Sequence, residues 1–410
     1  MIPMDWESKA LSSLGSPGFP AIKAGPFGSA LTKDSYVSEG YKVYGQEQVI
    51  RGNCFYGDYF VSKNSFNELR NCAVAPGDIL LSLVGTAGRV LVVPDDAPAG
   101  IINPRLIRLT FNKKLISPYF FKFVFESEIY QALLSRNAQG GTMGVLNAGL
   151  LRPIAIPVPS LREQDAIAEA LSDADALIES LDQLIAKKRQ VKQGAMQELL
   201  TGKRRLPGFS GKWEKRLIED IADVKTGPFG SALHESDYVP SGTPIITVEH
   251  LGEFGVTRQN LPLVSDEDCK RLSAYALKSG DIVFSRVGSV DRNSLISESE
   301  SGWLFSGRLL RVRVDKDRVF APYLSFQFHT QSFKQLVLAV AVGQTMASLN
   351  TRILKNISVT LPSLAEQTAI ATVLSDMDTE LAALESRLVK ARQIKQGMMQ
   401  ELLTGRIRLL

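Results

Sequence analysis

The residues of this chain best suited to chemistry are arginines, which are interleaved with aromatic and small polar residues in two stretches. Arginine is the side chain that most often contacts guanine and phosphate, because its planar guanidinium donates two parallel hydrogen bonds. For any single arginine a solvated surface charge is the commoner role. Arg311 and Arg313 alternate along one predicted strand, and sharing a face makes them stronger candidates. The predicted nucleic-acid contacts are Lys63, Arg89, Arg105, Arg108, Arg258, Arg286, Arg292, Arg308, Arg311 and Arg313.

Motifs for catalysis or metal binding are missing from the sequence. It has no Gly-x-x-x-x-Gly-Lys-Ser/Thr phosphate loop and no glycine-rich strand–turn–helix for a nucleotide. Asn103-Pro104-Arg105 is the nearest approach to an amino-methyltransferase motif, but it lacks the second proline and the aromatic residue. The histidines are isolated from one another, at His234, His250 and His329. The sequence therefore indicates a non-catalytic protein without a metal site.

Length, composition and charge set further limits. The chain has 410 residues, 44% hydrophobic and 22% charged, which is ordinary for a globular protein. A net charge of only +4 means that nucleic-acid binding would depend on local basic patches. No apolar run approaches the roughly 20 residues of a membrane helix, and the start does not resemble a signal peptide. The three cysteines are unclustered, at Cys54, Cys72 and Cys269. We expect a cytoplasmic protein with no membrane association.

An internal repeat determines the architecture. Residues 160–175 (SLREQDAIAEALSDAD) return as 363–378 (SLAEQTAIATVLSDMD), and residues 189–202 return as 392–405. The offset is 203 residues throughout, without a gap. Two copies of one unit predict a pseudo-two-fold protein. Such a protein suits a partner with two half-sites, of which duplex DNA is the commonest.

The repeat extends outside these segments as short anchors. GPFGSAL occurs at Gly25–Leu31 and again at Gly227–Leu233, where we predict a structural turn with Phe27 or Phe229 in the core. Between the anchors the halves diverge, so that residues 40–60 show no evident counterpart in the second half. The pattern predicts one scaffold with two different variable surfaces. The two chain ends together match the linker between Thr201 and Trp213, which predicts adjacent termini and an effectively circular repeat.

Each of the two ungapped repeat segments, which begin at residues 160 and 363, predicts a long helix of about 40 residues, or roughly 60 Å. Ser160 and Ser363 begin capping boxes with Glu163 and Glu366, and glycines end both helices. Acidic first halves and basic second halves favour antiparallel pairing over parallel pairing. Two unrelated helices are disfavoured by the ungapped repeat. Lys192 and Lys395 fall in the seam, so the pairing is expected to loosen, splay or meet another partner there. The predicted seam is Ile167, Leu171, Ile178, Leu181 and Ile185 with Ile370, Leu374, Met377, Leu381, Leu384 and Leu388.

The variable regions contain short β-like runs punctuated by glycine and proline, and each includes one predicted shorter helix, at 118–136 or 322–340. We therefore assign the chain to the α+β class. The predicted divisions are a first variable domain at 1–159, a long helix at 160–202, a second variable domain at 203–362, and a second long helix with its tail at 363–410.

This organisation resembles the specificity subunit of type I restriction-modification enzymes. The resemblance rests on two variable domains alternating with long helices, the GPFGSAL anchors, the PSLxEQ helix starts and the QELLTG helix ends, and it covers essentially the whole chain. It implies that each variable region is a target recognition domain for one half of a split, asymmetric DNA sequence. It also implies that the helices set the spacing between the halves.

The same resemblance implies partner proteins. Two modification (methyltransferase) subunits would dock on the helices, and restriction (translocase/nuclease) subunits would join them on double-stranded DNA. S-adenosylmethionine, ATP and Mg²⁺ would belong to those partners, with no cofactor on this chain. The alternatives are a coiled-coil adaptor that binds protein, or an orphan or silent specificity subunit without active partners. An adaptor predicts little salt dependence of any DNA binding, whereas phosphate contacts predict a steep one.

Overall fold

The computed structural model describes residues 3–27, 30–83, 88–138, 146–228, 232–252, 255–341 and 348–409. The chain forms two compact units: unit 1 is Met1–Leu181 with Arg387–Leu410, and unit 2 is Asp182–Ser386. The division falls within both long helices. Each unit therefore combines one variable domain with part of each helix.

The variable domain of unit 1 is built on two main sheets, and its central strand is buried on both faces. Ile79 and Leu81 face one hydrophobic core, and Leu80 between them faces another. The first sheet is antiparallel, in the order Ile22–Ala24, Leu106–Leu109, Ile79–Ser82, Val90–Val92; the second is mixed, in the order Tyr36–Val37, Phe60–Val61, Tyr41–Tyr44, Gly100–Ile102, Ala73–Val74. Glu7–Ala10 pairs with Ala155–Val158. The α-helices are Gln46–Arg51, Lys63–Glu68, Pro118–Glu126, Glu128–Ala138 and Ala148–Leu151.

Unit 2 repeats this plan. Ile282 and Phe284 pack in one core, and Val283 packs in another. Its sheets have the strand orders Ala222–Thr226, Leu309–Val314, Ile282–Ser285, Asn293–Leu295 and Tyr238–Val239, Leu263–Val264, Thr243–Ile246, Leu304–Phe305. Two further antiparallel pairs are Glu214–Leu217 with Ser358–Leu361 and Leu251–Gly252 with Gly255–Val256. The α-helices are Ile218–Ile221, Asp266–Arg271, Ala321–His329, Gln331–Val340 and Thr351–Lys355.

The predicted α+β class is confirmed, but the shorter helix of each variable domain is broken in two. The break lies at Ser127 in unit 1 and at Thr330 in unit 2, where ψ is 152° and 145°. Each hydroxyl donates to the carbonyl three residues earlier, at 2.7 Å. A single continuous helix was therefore a wrong prediction, because these side chains compete with the helical backbone.

The two long helices are Leu161–Leu199 and Leu364–Leu402, each of 39 residues. Ser160 and Ser363 accept hydrogen bonds from the third residue of their helix, at 3.3 and 3.4 Å. Gly202 and Gly405 follow the helix ends with φ of +70° and +71°, as glycine caps require. Ends and starts thus follow the predicted signals.

The glutamates of the predicted capping boxes have a different role. Glu163 is 1% exposed, and its carboxylate accepts hydrogen bonds from the Trp6 indole at 3.2 Å and from Arg408 at 2.8 Å. Arg408 also binds Asp5 near the start of the chain, at 2.7 Å. The neighbouring carboxylates raise the pKa of the Arg408 guanidinium. Both chain ends of unit 1 are thereby joined to the start of the first long helix.

The internal linker of unit 2 has the same arrangement. Glu366 is 1% exposed and binds Arg205, whose guanidinium lies 5.5 Å from the ring of Trp213. In unit 1 the matching distance, from Arg408 to the ring of Trp6, is 5.6 Å. The two termini of the chain therefore reproduce an uninterrupted linker, which confirms the effectively circular repeat.

Ion pairs inside each unit show the direction of the helices. In unit 2, Lys192 pairs with Asp378, and Lys188 pairs with Glu380 at 2.6 Å. Residue numbers therefore increase in opposite directions along the two helices. In unit 1, Lys395 pairs with Asp175 at 2.5 Å. Basic second halves thus lie against acidic first halves. The predicted antiparallel pairing is confirmed.

Of the three outcomes expected at the seam lysines, contact with another partner is the one that the structure shows. The Lys192 side chain is 8% exposed, binds Asp378 and lies 5.6 Å from the ring of Phe326 in the variable domain. Lys395 lies likewise 5.5 Å from the ring of Phe123. Each lysine therefore connects the helix pair to its variable domain. The apolar seam positions are buried or half-buried: Ile167, Leu171, Ile178, Leu181, Ile185, Ile370, Leu374, Met377, Leu381, Leu384 and Leu388.

Candidate nucleic-acid interface

The first glycine of GPFGSAL in unit 2, Gly227, packs tightly against the turn before strand Leu309–Val314. The Gly227 amide donates to the Leu309 carbonyl at 3.1 Å. A Cβ atom at Gly227 would lie 2.1 Å from the Ser306 carbonyl oxygen, which no side chain tolerates. The glycine therefore allows two loops to meet at one edge of the domain.

Unit 1 has the same contact. The Gly25 amide donates to Leu106 at 3.0 Å, and a Cβ there would lie 1.9 Å from the Asn103 oxygen. The aromatic residue of the loop differs from expectation, because Phe27 is 89% exposed and does not fill the core. Phe229 lies outside the described residues. The first glycine of each loop thus makes the tight contact, and the described phenylalanine of the first loop is a surface residue.

Beside this turn, unit 2 has an open cleft of about 740 Å³. Arg292 precedes strand Asn293–Leu295, and Arg308 precedes strand Leu309–Val314, so both arginines lie at strand starts on the cleft wall. Both side chains are exposed. The remaining polar lining includes His234, Glu235, Tyr238, Thr247 and Glu249.

The guanidinium groups of the two cleft arginines make few contacts with other protein groups, which leaves them able to bind a ligand. Within the described residues, Arg308 forms no ion pair with a carboxylate, and Arg292 donates to the Leu251 carbonyl. Burial and then Glu235 raise the pKa of the Tyr238 phenol, while Arg308 acts in the opposite direction. The two exposed guanidinium groups can each donate hydrogen bonds to an anion, and the cleft lining carries the carboxylates Glu235 and Glu249 as well.

The corresponding residues of unit 1 are placed alike. Arg89 precedes strand Val90–Val92 and Arg105 precedes strand Leu106–Leu109, and both are exposed. Tyr36 corresponds to Tyr238, and its ring centroid lies 5.2 Å from that of Tyr59. Burial and then Tyr59 raise the pKa of Tyr36, while Arg105 opposes them.

The segments that differ in sequence between the two halves nevertheless contain matching strands, a correspondence that the sequence interpretation missed. Strands Tyr41–Tyr44 and Thr243–Ile246 occupy the same place, each pairing in parallel with the strand before the arginine turn. Glu47 and Glu249 follow these strands at matching positions. A signal was available, because these residues lie at a constant distance from GPFGSAL, as Tyr36 and Tyr238 also do.

Four predicted arginines pair with carboxylates of their own domain. Arg313 binds Asp281 through two hydrogen bonds of 2.7 and 2.6 Å, and this carboxylate raises the pKa of the arginine. Arg311 is 4% exposed and pairs with Asp223. Arg108 lies 3.8 Å from Asp78, and Arg258 pairs with Glu300. The shared strand face of Arg311 and Arg313 therefore carries a network of ion pairs, and DNA contact by these four stays a prediction.

The other two predicted residues lie apart from these. Lys63 is exposed at the start of helix Lys63–Glu68. Arg286 is half-buried at the arginine turn, where its amide donates to the Arg308 carbonyl at 2.8 Å. Of the ten predicted residues, the structure thus brings together Arg89 with Arg105, and Arg286 and Arg292 with Arg308.

The described residues contain no group of three or more His, Cys, Asp or Glu side chains that could hold a metal ion. None of the helices in the described ranges is long and apolar enough to span a membrane.

Comparison with known proteins gives consistent matches over most of the chain. Residues 21–188 and 210–391 match the family model of the type I restriction modification DNA specificity domain. The chain is 22% identical to the MjaVIII type I restriction enzyme specificity subunit of Methanocaldococcus jannaschii, covering 90% of this chain and 87% of that protein. It is 23% identical to the EcoKI specificity subunit of Escherichia coli, covering 85% and 78%. The fold is similar to that of an S subunit from M. genitalium, with a TM-score of 0.60, 16% identity and coverage of 98% and 96%.

Proposed function

Because the chain belongs to the family of type I restriction modification DNA specificity proteins, we propose how its two units select DNA. Each target recognition domain binds one half of a split, asymmetric duplex sequence through the cleft beside its GPFGSAL loop. The observation that carries this proposal is the pair of exposed arginines found at matching places in both units, Arg89 with Arg105 and Arg292 with Arg308. Guanidinium groups at such a position suit phosphates and the major-groove edge of guanine.

The long helices set the distance between the two half-sites. Support comes from their equal length, their antiparallel ion pairs, and the buried Lys192 and half-buried Lys395, which connect each variable domain to them. A fixed connection between domain and helix is what a spacer requires. The exposed faces of the helices dock two methyltransferase subunits, and restriction subunits join that complex in the cytoplasm.

The chemistry of modification and cleavage belongs to those partners. The sequence lacks the phosphate loop and the amino-methyltransferase motif that such reactions use. S-adenosylmethionine, ATP and Mg²⁺ are therefore assigned to the partner subunits. A protein-binding adaptor is the less favoured function, since the family model matches both repeats of the chain.

Lengthening both long helices tests the spacing function. Four residues inserted after Leu181 and four after Ser386 add about one turn, or roughly 6 Å, to each helix. At about 3.4 Å per base pair, the gap between the half-sites is expected to grow by about one to two base pairs, with both half-motifs unchanged. The measurement is the methylated motif in cells that express the variant with its methyltransferase subunit.

A four-residue insertion after Gly208, in the exposed linker of unit 2, is the matched control. It adds the same chain length outside the helices, and the gap is expected to stay as in the wild type. A changed half-motif with an unchanged gap in the helix variant would contradict the spacer function.

A further inference from the structure

The cleft of unit 2 and the matching surface of unit 1 share some residues and differ in others. This division is the starting point for an inference that rests on the proposed function. The shared residues lie at matching backbone positions. The amide of Ser82 donates to Arg89 at 3.1 Å, and that of Ser285 donates to Arg292 at 2.9 Å. The turn before each second arginine is also held alike, since Asn103 donates to Tyr44 at 2.8 Å and Ser306 to Ile246 at 2.9 Å.

The residues that differ lie directly after the GPFGSAL loop. Lys33 in unit 1 and Glu235 in unit 2 occupy matching positions in a short helical turn, and both are exposed. Glu235 lines the cleft of unit 2. The same backbone thus presents a cation in one domain and an anion in the other.

We infer that the shared arginines hold DNA phosphates independently of sequence, whereas Lys33 and Glu235 contact base edges and so determine which bases each half-site contains. Phosphates are common to every sequence, so a contact used by two domains of different specificity suits them best. A matched position at which the two domains carry opposite charges suits instead a contact that depends on the DNA sequence. In the major groove a lysine donates to guanine O6 and N7, and a glutamate accepts from the cytosine amino group.

The structure also explains why these positions can vary. The backbone of each turn is held by local contacts that do not involve either variable side chain: the Thr32 amide donates to Ser35 at 3.4 Å, and the His234 amide donates to Asp237 at 2.7 Å. Exchange at position 33 or 235 therefore leaves the turn intact. Specificity can change at these sites without a change in the scaffold.

The test compares two single variants of the full chain, prepared with its methyltransferase subunit. Arg308→Ala is expected to weaken binding by about tenfold, equally for a duplex with the mapped target and one with scrambled half-motifs. The slope of log affinity against log salt is expected to become shallower by about 0.9, the value for one phosphate. Arg308→Lys, which keeps the charge, should regain most of the affinity. The methylated motif should stay unchanged in both.

Glu235→Gln keeps the size of the side chain and removes its charge. It is expected to alter one base position in a single half-motif, while affinity for the scrambled duplex stays within about twofold, since no phosphate contact is lost. Lys33→Gln should alter the other half-motif.

Two results would overturn the inference: a relaxed base position in Arg308→Ala, or an unchanged motif in both Glu235→Gln and Lys33→Gln. A wild-type chain that does not prefer its target over the scrambled duplex would instead refute the proposed function itself, and with it this inference. The wild-type comparison therefore separates the two failures.

Discussion

Replacing Asp378 with alanine is expected to lower the free energy of unfolding by about 3–5 kcal/mol, the usual cost of removing one partner of a buried ion pair. The Lys192 side chain is 8% exposed and Asp378 is 21% exposed, so water cannot readily replace the lost carboxylate. Urea unfolding followed by tryptophan fluorescence measures the loss, because Trp213 and Trp303 both belong to unit 2.

Asp175→Ala is the matched control in unit 1. Asp175 is 39% exposed and its partner Lys395 is 22% exposed, so solvent screens this pair more than the pair of unit 2, and the expected loss is only about 1 kcal/mol. Replacing both partners, Lys192→Met with Asp378→Leu, should regain most of the stability, since no charge is then buried alone. Equal losses in Asp378→Ala and Asp175→Ala would show that burial does not determine the cost.

The second large effect is a loss of stability of unit 2 on acidification. His329 ends helix Ala321–His329 and lines a cavity with Arg258, Glu300 and Asp378. Burial lowers its pKa from 6.5 to about 4, and Lys334 and Lys192 act in the same direction. The unfolded state therefore binds one more proton than the folded state between these values. The stability that depends on neutral His329 is complete above pH 6.5 and is lost as the pH falls toward 4.

From pH 7 to pH 5 this group should lower the free energy of unfolding by about 2 kcal/mol. His329→Gln cannot take up the proton. Between pH 7 and pH 5 its free energy of unfolding should therefore fall by about 2 kcal/mol less than that of the wild type. The comparison uses urea unfolding of the wild type and the variant at both pH values. Parallel pH dependence in the two proteins would contradict a neutral, half-buried His329.

The matching residue of unit 1 is Glu126, whose titration has the opposite sign. Burial raises its pKa above 4.5. Its contribution to stability is therefore present below pH 4.5 and is lost as the pH rises through the higher folded value. The same place in the two units thus carries groups of opposite pH response.

The overall architecture could be predicted from the sequence because it depends on repeated and periodic segments. The ungapped repeat predicted two similar units, and the charge gradient along residues 161–199 and 364–402 predicted antiparallel pairing. The linker match predicted that the chain ends meet. These features depend on many residues at once, so local exceptions do not change them.

The candidate site could be predicted only in part, because the partner of a charged residue is set by tertiary contacts. The sequence favoured Arg311 over Arg308 as a DNA contact, yet Arg311 is buried beside Asp223, and Arg308 is exposed at a cleft. Lys192 likewise is a charged residue in a predicted apolar seam. In the structure it contacts Asp378 and Phe326 and so connects the helix pair to the variable domain. Periodicity shows where a lysine lies on a helix, but not which carboxylate lies opposite.

The central claim, that this chain selects a split DNA target, is tested most directly by single-molecule sequencing of genomic DNA for methylated bases. The cells express the chain with its methyltransferase subunit, and matched cells lack only the gene for this chain. We expect a two-part motif with a fixed gap that disappears with the gene, and a change in one half alone when Glu235 is replaced. An identical methylation pattern in the two strains would contradict the account.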